Sequence, residues 1–96
     1  MPIYKDEAKR IIQNTISEEE YTHMNILLGK YYLFSEEYSK AIRCFRDESV
    51  IHMRSFDAYY YLSKCYSLLE EREESKAAFE MAKRIIPDSP WLQYLQ

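Results

Sequence analysis

The sequence predicts an all-α fold built from stacked helix–turn–helix units, and three observations predict it. The first is a lag of thirty-four residues: Leu28 to Leu62, Lys30 to Lys64, Tyr32 to Tyr66, Phe45 to Phe79, Ile51 to Ile85 and Ser55 to Ser89. Small residues recur at the same lag, Gly29 with Ser63 and Ala41 with Ser75. A fixed period of this size marks stacked two-helix units rather than a single globular knot. The second is the scarcity of breakers, with Gly once and Pro three times in 96 residues; this leaves little room for hairpin turns. The third is the recurrence of apolar residues at three- and four-residue steps, the period of one helix face.

Each element can be read in order. Asp6 to about Thr15 carries Ala8, Ile11 and Ile12 on one face, a short amphipathic helix. Ser17 with Glu20 is a capping-box pattern that opens a long helix from Glu18 to about Phe34. Met24, Leu27, Leu28, Tyr31 and Tyr32 form its broad apolar face. Ser35-Glu36-Glu37 interrupts the pattern and caps a helix from Glu37 to Ser49, whose inward face is Tyr38, Ala41, Ile42 and Phe45. Ser55 caps the next, which runs to about Leu69 with Ala58, Tyr59, Leu62, Cys65, Tyr66 and Leu69 inward. After Glu70-Glu71 another extends to Ile86, carrying Ala78, Phe79, Ala82, Ile85 and Ile86. Pro87-Asp88-Ser89-Pro90 ends it; Ser89 as cap and Pro90 in the first turn then start a final short helix. The organisation expected is a capping helix over 1–16, a first unit over 17–55, a second over 56–89, and a short capping helix or the start of a third unit over 90–96.

Composition narrows the function classes. The net charge is −3 with acids and bases interspersed, so no basic stripe offers itself to a nucleic-acid backbone. The N-terminus, Met1-Pro2-Ile3-Tyr4-Lys5-Asp6-Glu7, is charged at once, and neither a signal peptide nor membrane insertion is expected. Cys44 and Cys65 lack metal-ligand spacing and read as buried reduced thiols of an intracellular protein, cytoplasmic or nuclear. His23 and His52 lie far apart, no Ser or Cys stands in a strained elbow, and no Gly-rich loop exists to cradle a phosphate. The acidic run Glu70-Glu71-Arg72-Glu73-Glu74 spans a turn and a helix start, where carboxylates complement the dipole. The expectation is a protein that is not an enzyme and holds no metal or cofactor. Ten tyrosines, clustered at Tyr31-Tyr32 and Tyr59-Tyr60-Tyr61, suit helix–helix interfaces and binding grooves.

In the second unit Tyr59, Leu62, Ser63, Tyr66, Ser75, Phe79, Ala82 and Pro87 stand at fixed offsets. This resembles the tetratricopeptide repeat (TPR) pattern of aromatic, Leu, small residue, Tyr, Ala, aromatic, Ala and Pro. The first unit keeps Leu28, Gly29, Tyr32, Tyr38, Ala41 and Phe45, but has Asn25 where an aromatic is usual, Glu48 for Ala and Met53 for Pro. These departures leave room for a bulge or a lengthened turn around Arg46 to Arg54. The resemblance implies a right-handed α-solenoid of two full units plus flanking helices. In it Gly29 and Ala41 let paired helices approach, and Phe45 fills the space toward the next unit.

By the same resemblance, the concave groove is lined by His23, Ile26, Lys30, Leu33 and Phe34 of the first unit. Asp57, Tyr60, Tyr61, Lys64, Ser67 and Leu68 follow in the second, and Trp91 and Tyr94 continue the surface. Lys30 and Lys64 would set two ammonium groups along one groove, able to hold an acidic side chain or a terminal carboxylate. They equally fit two ordinary solvated lysines. Ile26 and Tyr61 stand where TPR domains that grip chaperone tails carry Lys and Asn, which argues against that partner. The groove better suits an amphipathic helix or an apolar peptide of another protein. The alternative is a self-associating assembly subunit, as in the TPR subunits of the anaphase-promoting complex, with the apolar tail from Trp91 as contact.

Overall fold

A computed structural model describes residues 18–95, with side chains from residue 24 onward. The expected helix over Asp6–Thr15 and the Ser17 cap lie outside the described residues. Four α-helices follow one another: α1 (Glu18–Phe34), α2 (Tyr38–Ile51), α3 (Phe56–Leu68) and α4 (Arg72–Ile85); a 3-10 helix, Pro90–Leu95, comes last. No strand occurs among the described residues.

Two hairpins of helices are made by the same backbone closure. Glu37 N–H donates to the carbonyl of Tyr32 (2.8 Å) and Glu36 N–H to that of Leu33 (3.1 Å). Thirty-four residues on, Glu71 N–H donates to Tyr66 (2.9 Å) and Glu70 N–H to Ser67 (3.0 Å). Both are Schellman closures, which satisfy the orphan carbonyls of a helix end and need one residue in the left-handed region. That residue is Glu36 in the first (φ 60°) and Glu70 in the second (φ 61°), where glycine is the usual occupant.

The turn that joins the hairpins repeats too. Ser55 N–H donates to His52 (3.0 Å) and Ser89 N–H to Ile86 (3.2 Å). Ser55 Oγ accepts from Ala58 N–H at 3.2 Å, which caps α3, and Ser89 Oγ accepts from Trp91 N–H at 3.3 Å. The turn over His52–Ser55 is therefore as short as its counterpart, and α2 runs regularly to Ile51 without a bulge. Backbone bonding holds this turn at the position where the repeat pattern has proline and this chain has Met53.

The core lies between the hairpins. Phe45, Ala41, Ala58, Cys65 and Ala82 are fully buried, and Tyr32, Leu33, Leu62 and Ala78 nearly so. Gly29 faces the Phe45 ring so closely that a Cβ placed there would lie 2.6 Å from Cε1. Phe45 in turn stacks on Tyr61 of α3 at 5.2 Å, with ring planes 15° apart. The single contact chain Gly29–Phe45–Tyr61 thus ties α1 to α2 and α2 to α3. The second hairpin replaces the Gly29–Ala41 pair by serines that bind reciprocally. Ser63 Oγ donates to the Ser75 carbonyl and Ser75 Oγ to the Ser63 carbonyl, both at 2.9 Å.

Each of these serine bonds is expected to be worth about 1 kcal/mol, the net value of a buried neutral hydrogen bond. Ser63→Ala and Ser75→Ala should each lower stability by that order in urea titration. Because the two hydroxyls also lie 3.3 Å apart, the double variant should depart from additivity. Two independent losses that simply sum would show that the pair is not coupled.

Part of the broad apolar face expected on α1 is not covered. Leu27 and Tyr31 are exposed, whereas Asn25, Gly29, Tyr32 and Leu33 turn inward. The stripe is wider than the arc that α2 and α3 cover, so its far edge faces outward. Leu69 and Ile86, also expected inward, are exposed at the two helix ends. The two polar departures of the first unit, Asn25 and Glu48, are both buried, and Asn25 Nδ2 meets no acceptor among the described residues. A buried unsatisfied amide of this kind costs about 1–3 kcal/mol.

Candidate groove of α1, α3 and the C-terminal helix

The first turn of α3 places Phe56 and Asp57 beside the Ser55 cap, and the next turn places Tyr60 and Tyr61. Phe56 stacks on Tyr60, its i+4 neighbour on the helix surface, at 5.9 Å. Tyr60 and Tyr61 meet edge to face at 5.0 Å and 88°. The 3-10 helix brings Trp91 against Tyr60 at 6.4 Å and 80°, and Tyr94 lies 5.8 Å beyond Trp91. A continuous aromatic surface therefore runs from Phe45 in the core through Tyr61 and Tyr60 to the exposed Trp91 and Tyr94. Such offset and perpendicular ring pairs contribute about 0.5–1.5 kcal/mol each beyond burial.

Two lysines lie over this surface. Lys30 Nζ of α1 reaches across to the Tyr61 ring at 5.0 Å, and Lys64 Nζ lies over Tyr60 at 5.8 Å. Each contact is worth about 0.5–1 kcal/mol where solvent reaches it. Neither ammonium has a carboxylate within ion-pair distance among the described residues. Their N–H groups remain available to an acceptor from outside.

A cleft of about 420 Å³ opens here, lined by Lys30, Phe56, Asp57, Tyr60, Tyr61, Ile86, Ser89 and Trp91. It gathers five of the residues that the sequence assigns to the groove: Lys30, Asp57, Tyr60, Tyr61 and Trp91. Lys64 and Tyr94 flank it through Tyr60 and Trp91. Leu33 and Ile26 stand apart, the first buried in the core and the second packed against it. Phe34 (82% exposed) and Leu68 (52%) end α1 and α3 at the same offset, outside the cleft. The side chain of His23 lies outside those described. Tyr60, expected on the groove surface, is only 6% exposed, so it forms the floor rather than the rim.

Phe56, Ile86 and Ser89 are lining residues that sequence reasoning did not select. Phe56 carried a signal in its i,i+4 spacing to Tyr60. Ser89 carried one in its thirty-four-residue relation to the capping Ser55.

Burial, with Tyr61 and Tyr94 nearby, pushes the Tyr60 phenol above its ordinary range and keeps it a neutral donor. No group of three His, Cys, Asp or Glu side chains converges among the described residues. None of the described helices is long and apolar enough to cross a membrane.

Cys44 and Cys65 are buried thiols outside any disulfide, and burial pushes Cys65 up to about 12. Only the thiolate is a nucleophile, so Cys65 should resist a disulfide-exchange reagent near neutral pH until the chain unfolds. The raised folded value also fixes a sign. The stability that the neutral thiol contributes is present below the unfolded value of 9.0 and is lost as pH rises toward about 12. Modification of Cys65 in the native protein as fast as in urea would contradict its burial.

Compared with protein-family models, with curated proteins and with solved structures, the chain matches none.

Proposed function

We propose that this chain is a TPR-type module that binds a peptide or helix of a partner protein on the face of α1 and α3 and catalyses nothing. The observation that carries the reading is the cleft itself. Residues from α1, α3 and the C-terminal helix converge on one aromatic surface, with two ammonium groups above it that pair with no carboxylate among the described residues. Aromatic anchors and a few convergent polar groups are the usual make-up of a recognition site. The repeat assignment is supported by the thirty-four-residue lag, which the backbone hydrogen bonds of the turns follow as well as the side chains. In this reading Gly29 and Ser63 are the close-approach positions of two successive units, stacked as a short right-handed solenoid. Buried thiols outside any disulfide accord with an intracellular setting, cytoplasmic or nuclear.

The test is selection of binders from a displayed random peptide library on the full chain. Lys30→Glu with Lys64→Glu, both on the surface, should leave the melting temperature within a few degrees. The same pair should weaken the selected peptides at least about tenfold by placing like charges opposite their acids. Unchanged binding by this variant would take the groove out of the reading.

A second reading, self-assembly, draws on the exposed Trp91 and Tyr94 at 59% and 60%. Light scattering over a concentration series separates the two. A dimer that dissociates when the chain is ended at Ser89 would favour assembly, and a monomer in both forms the receptor.

A further inference from the structure

We propose that the occupant of this cleft is a partner segment carrying a carboxylate beside a large apolar side chain, read respectively by Lys30 and by the corner of Tyr60, Tyr61 and Trp91. The proposal rests on the peptide-binding reading above and names the chemistry of its ligand.

The apolar half follows from ring geometry. Tyr60 meets Tyr61 at 88° and Trp91 at 80°, so the cleft offers both ring faces and ring edges at near right angles. A planar or branched apolar side chain entering such a corner packs on more than one ring at once. The volume of about 420 Å³ is within the range of pockets that bury a whole side chain with its neighbouring backbone. Tyr60 is already desolvated and held by Phe56, so little ordering is left to be done when a ligand arrives.

The charged half follows from Lys30. The cleft lining carries two charges of opposite sign, Lys30 and Asp57, and Lys64 adds a second ammonium at its flank over Tyr60. Lys30 Nζ lies 5.0 Å from the centre of the Tyr61 ring and has no acid to pair with among the described residues. A carboxylate next to the buried anchor meets that ammonium without displacing an internal partner. Asp57 also lines the cleft, at the first turn of α3 where the helix dipole favours a carboxylate. The part of the segment nearest Asp57 is accordingly neutral or basic.

The experiment uses the displayed random library and one built-in reporter, since Trp91 is the only tryptophan of the chain and lines the cleft. Selected sequences should place Asp or Glu next to, or one helical turn from, an aromatic residue, Leu, Ile or Met. A synthetic peptide of that type should shift Trp91 emission on titration. Added salt should weaken it, and Lys30→Gln should weaken it about five-fold while removing most of the salt dependence. Selected peptides without acids, an unmoved Trp91 emission, or equal binding by Lys30→Gln would overturn the proposal and leave peptide binding standing. A library that yields no binder at all would instead remove the peptide-binding reading, and the proposal with it.

Discussion

Gly29→Leu should unfold this protein or lower its melting temperature by at least about 12 °C, the shift that corresponds to about 3 kcal/mol in a domain of this size. The reason is a distance. Even the first carbon of a side chain at Gly29 would lie 2.6 Å from Phe45 Cε1 and 2.7 Å from Cζ. Phe45 is completely buried and stacked on Tyr61, which leaves it little room to swing aside. Relief would have to come from parting α1 and α2, and overpacking of a tight core costs about 1–3 kcal/mol or more. Gly29→Ala divides the terms, since alanine gains about 1 kcal/mol of helix propensity against the clash. It should still come out destabilised, and Phe45→Leu in the same chain should recover part of that loss by replacing the ring with a shorter side chain. Equal melting temperatures for Gly29→Leu and the parent would sink the packing argument.

Phe45→Ala is the second large effect, with an expected loss of about 3–5 kcal/mol in denaturant titration. The residue is completely buried and bridges both helix pairs. Its control is Phe79, the same residue at the same offset one period later, which is only partly buried. Phe45 stacks on Tyr61 of α3 and lies in one buried cluster with its Leu62 and Cys65, whereas Phe79 lines an open cleft together with Leu95. Phe79→Ala should therefore cost roughly half as much or less. Similar losses at the two positions would mean that burial by the following helix is not what sets the difference.

Much of the helical layout was legible from local chemistry. The Ser55 cap, the Ser35–Glu37 interruption and the Pro87–Pro90 run mark element ends that the structure reproduces to within two residues. The close approach at Gly29 and the packing of Phe45 toward the next helix are what the resemblance to the repeat pattern implies. What periodicity could not say is how far around a helix its neighbours reach. Leu27 and Tyr31 read as core by spacing and are exposed, since one helix's pattern gives the width of its apolar stripe and not the arc that others cover. The site was legible in the same partial way. Offsets picked out Lys30, Asp57, Tyr60, Tyr61 and Trp91, but the depth of Tyr60 depends on three rings from different turns closing over it. Ile86 enters the cleft from the end of α4, where it lines the same opening as Phe56 and Trp91. The reciprocal serine bonds were hidden for another reason. Ser63 and Ser75 qualify simply as small residues until their helices are laid side by side.

The two left-handed glutamates carry a consequence for how much stability this chain leaves unused. A residue other than glycine in that region is held there at a cost of about 1 kcal/mol or more, and both hairpins bear it, at Glu36 and Glu70. The only glycine of the chain stands at Gly29, where close approach demands it, so neither turn has the residue that would relax it. The two turns are thus the places where evolution or an engineer has headroom: the topology could be made firmer by single changes far from the core and far from the cleft.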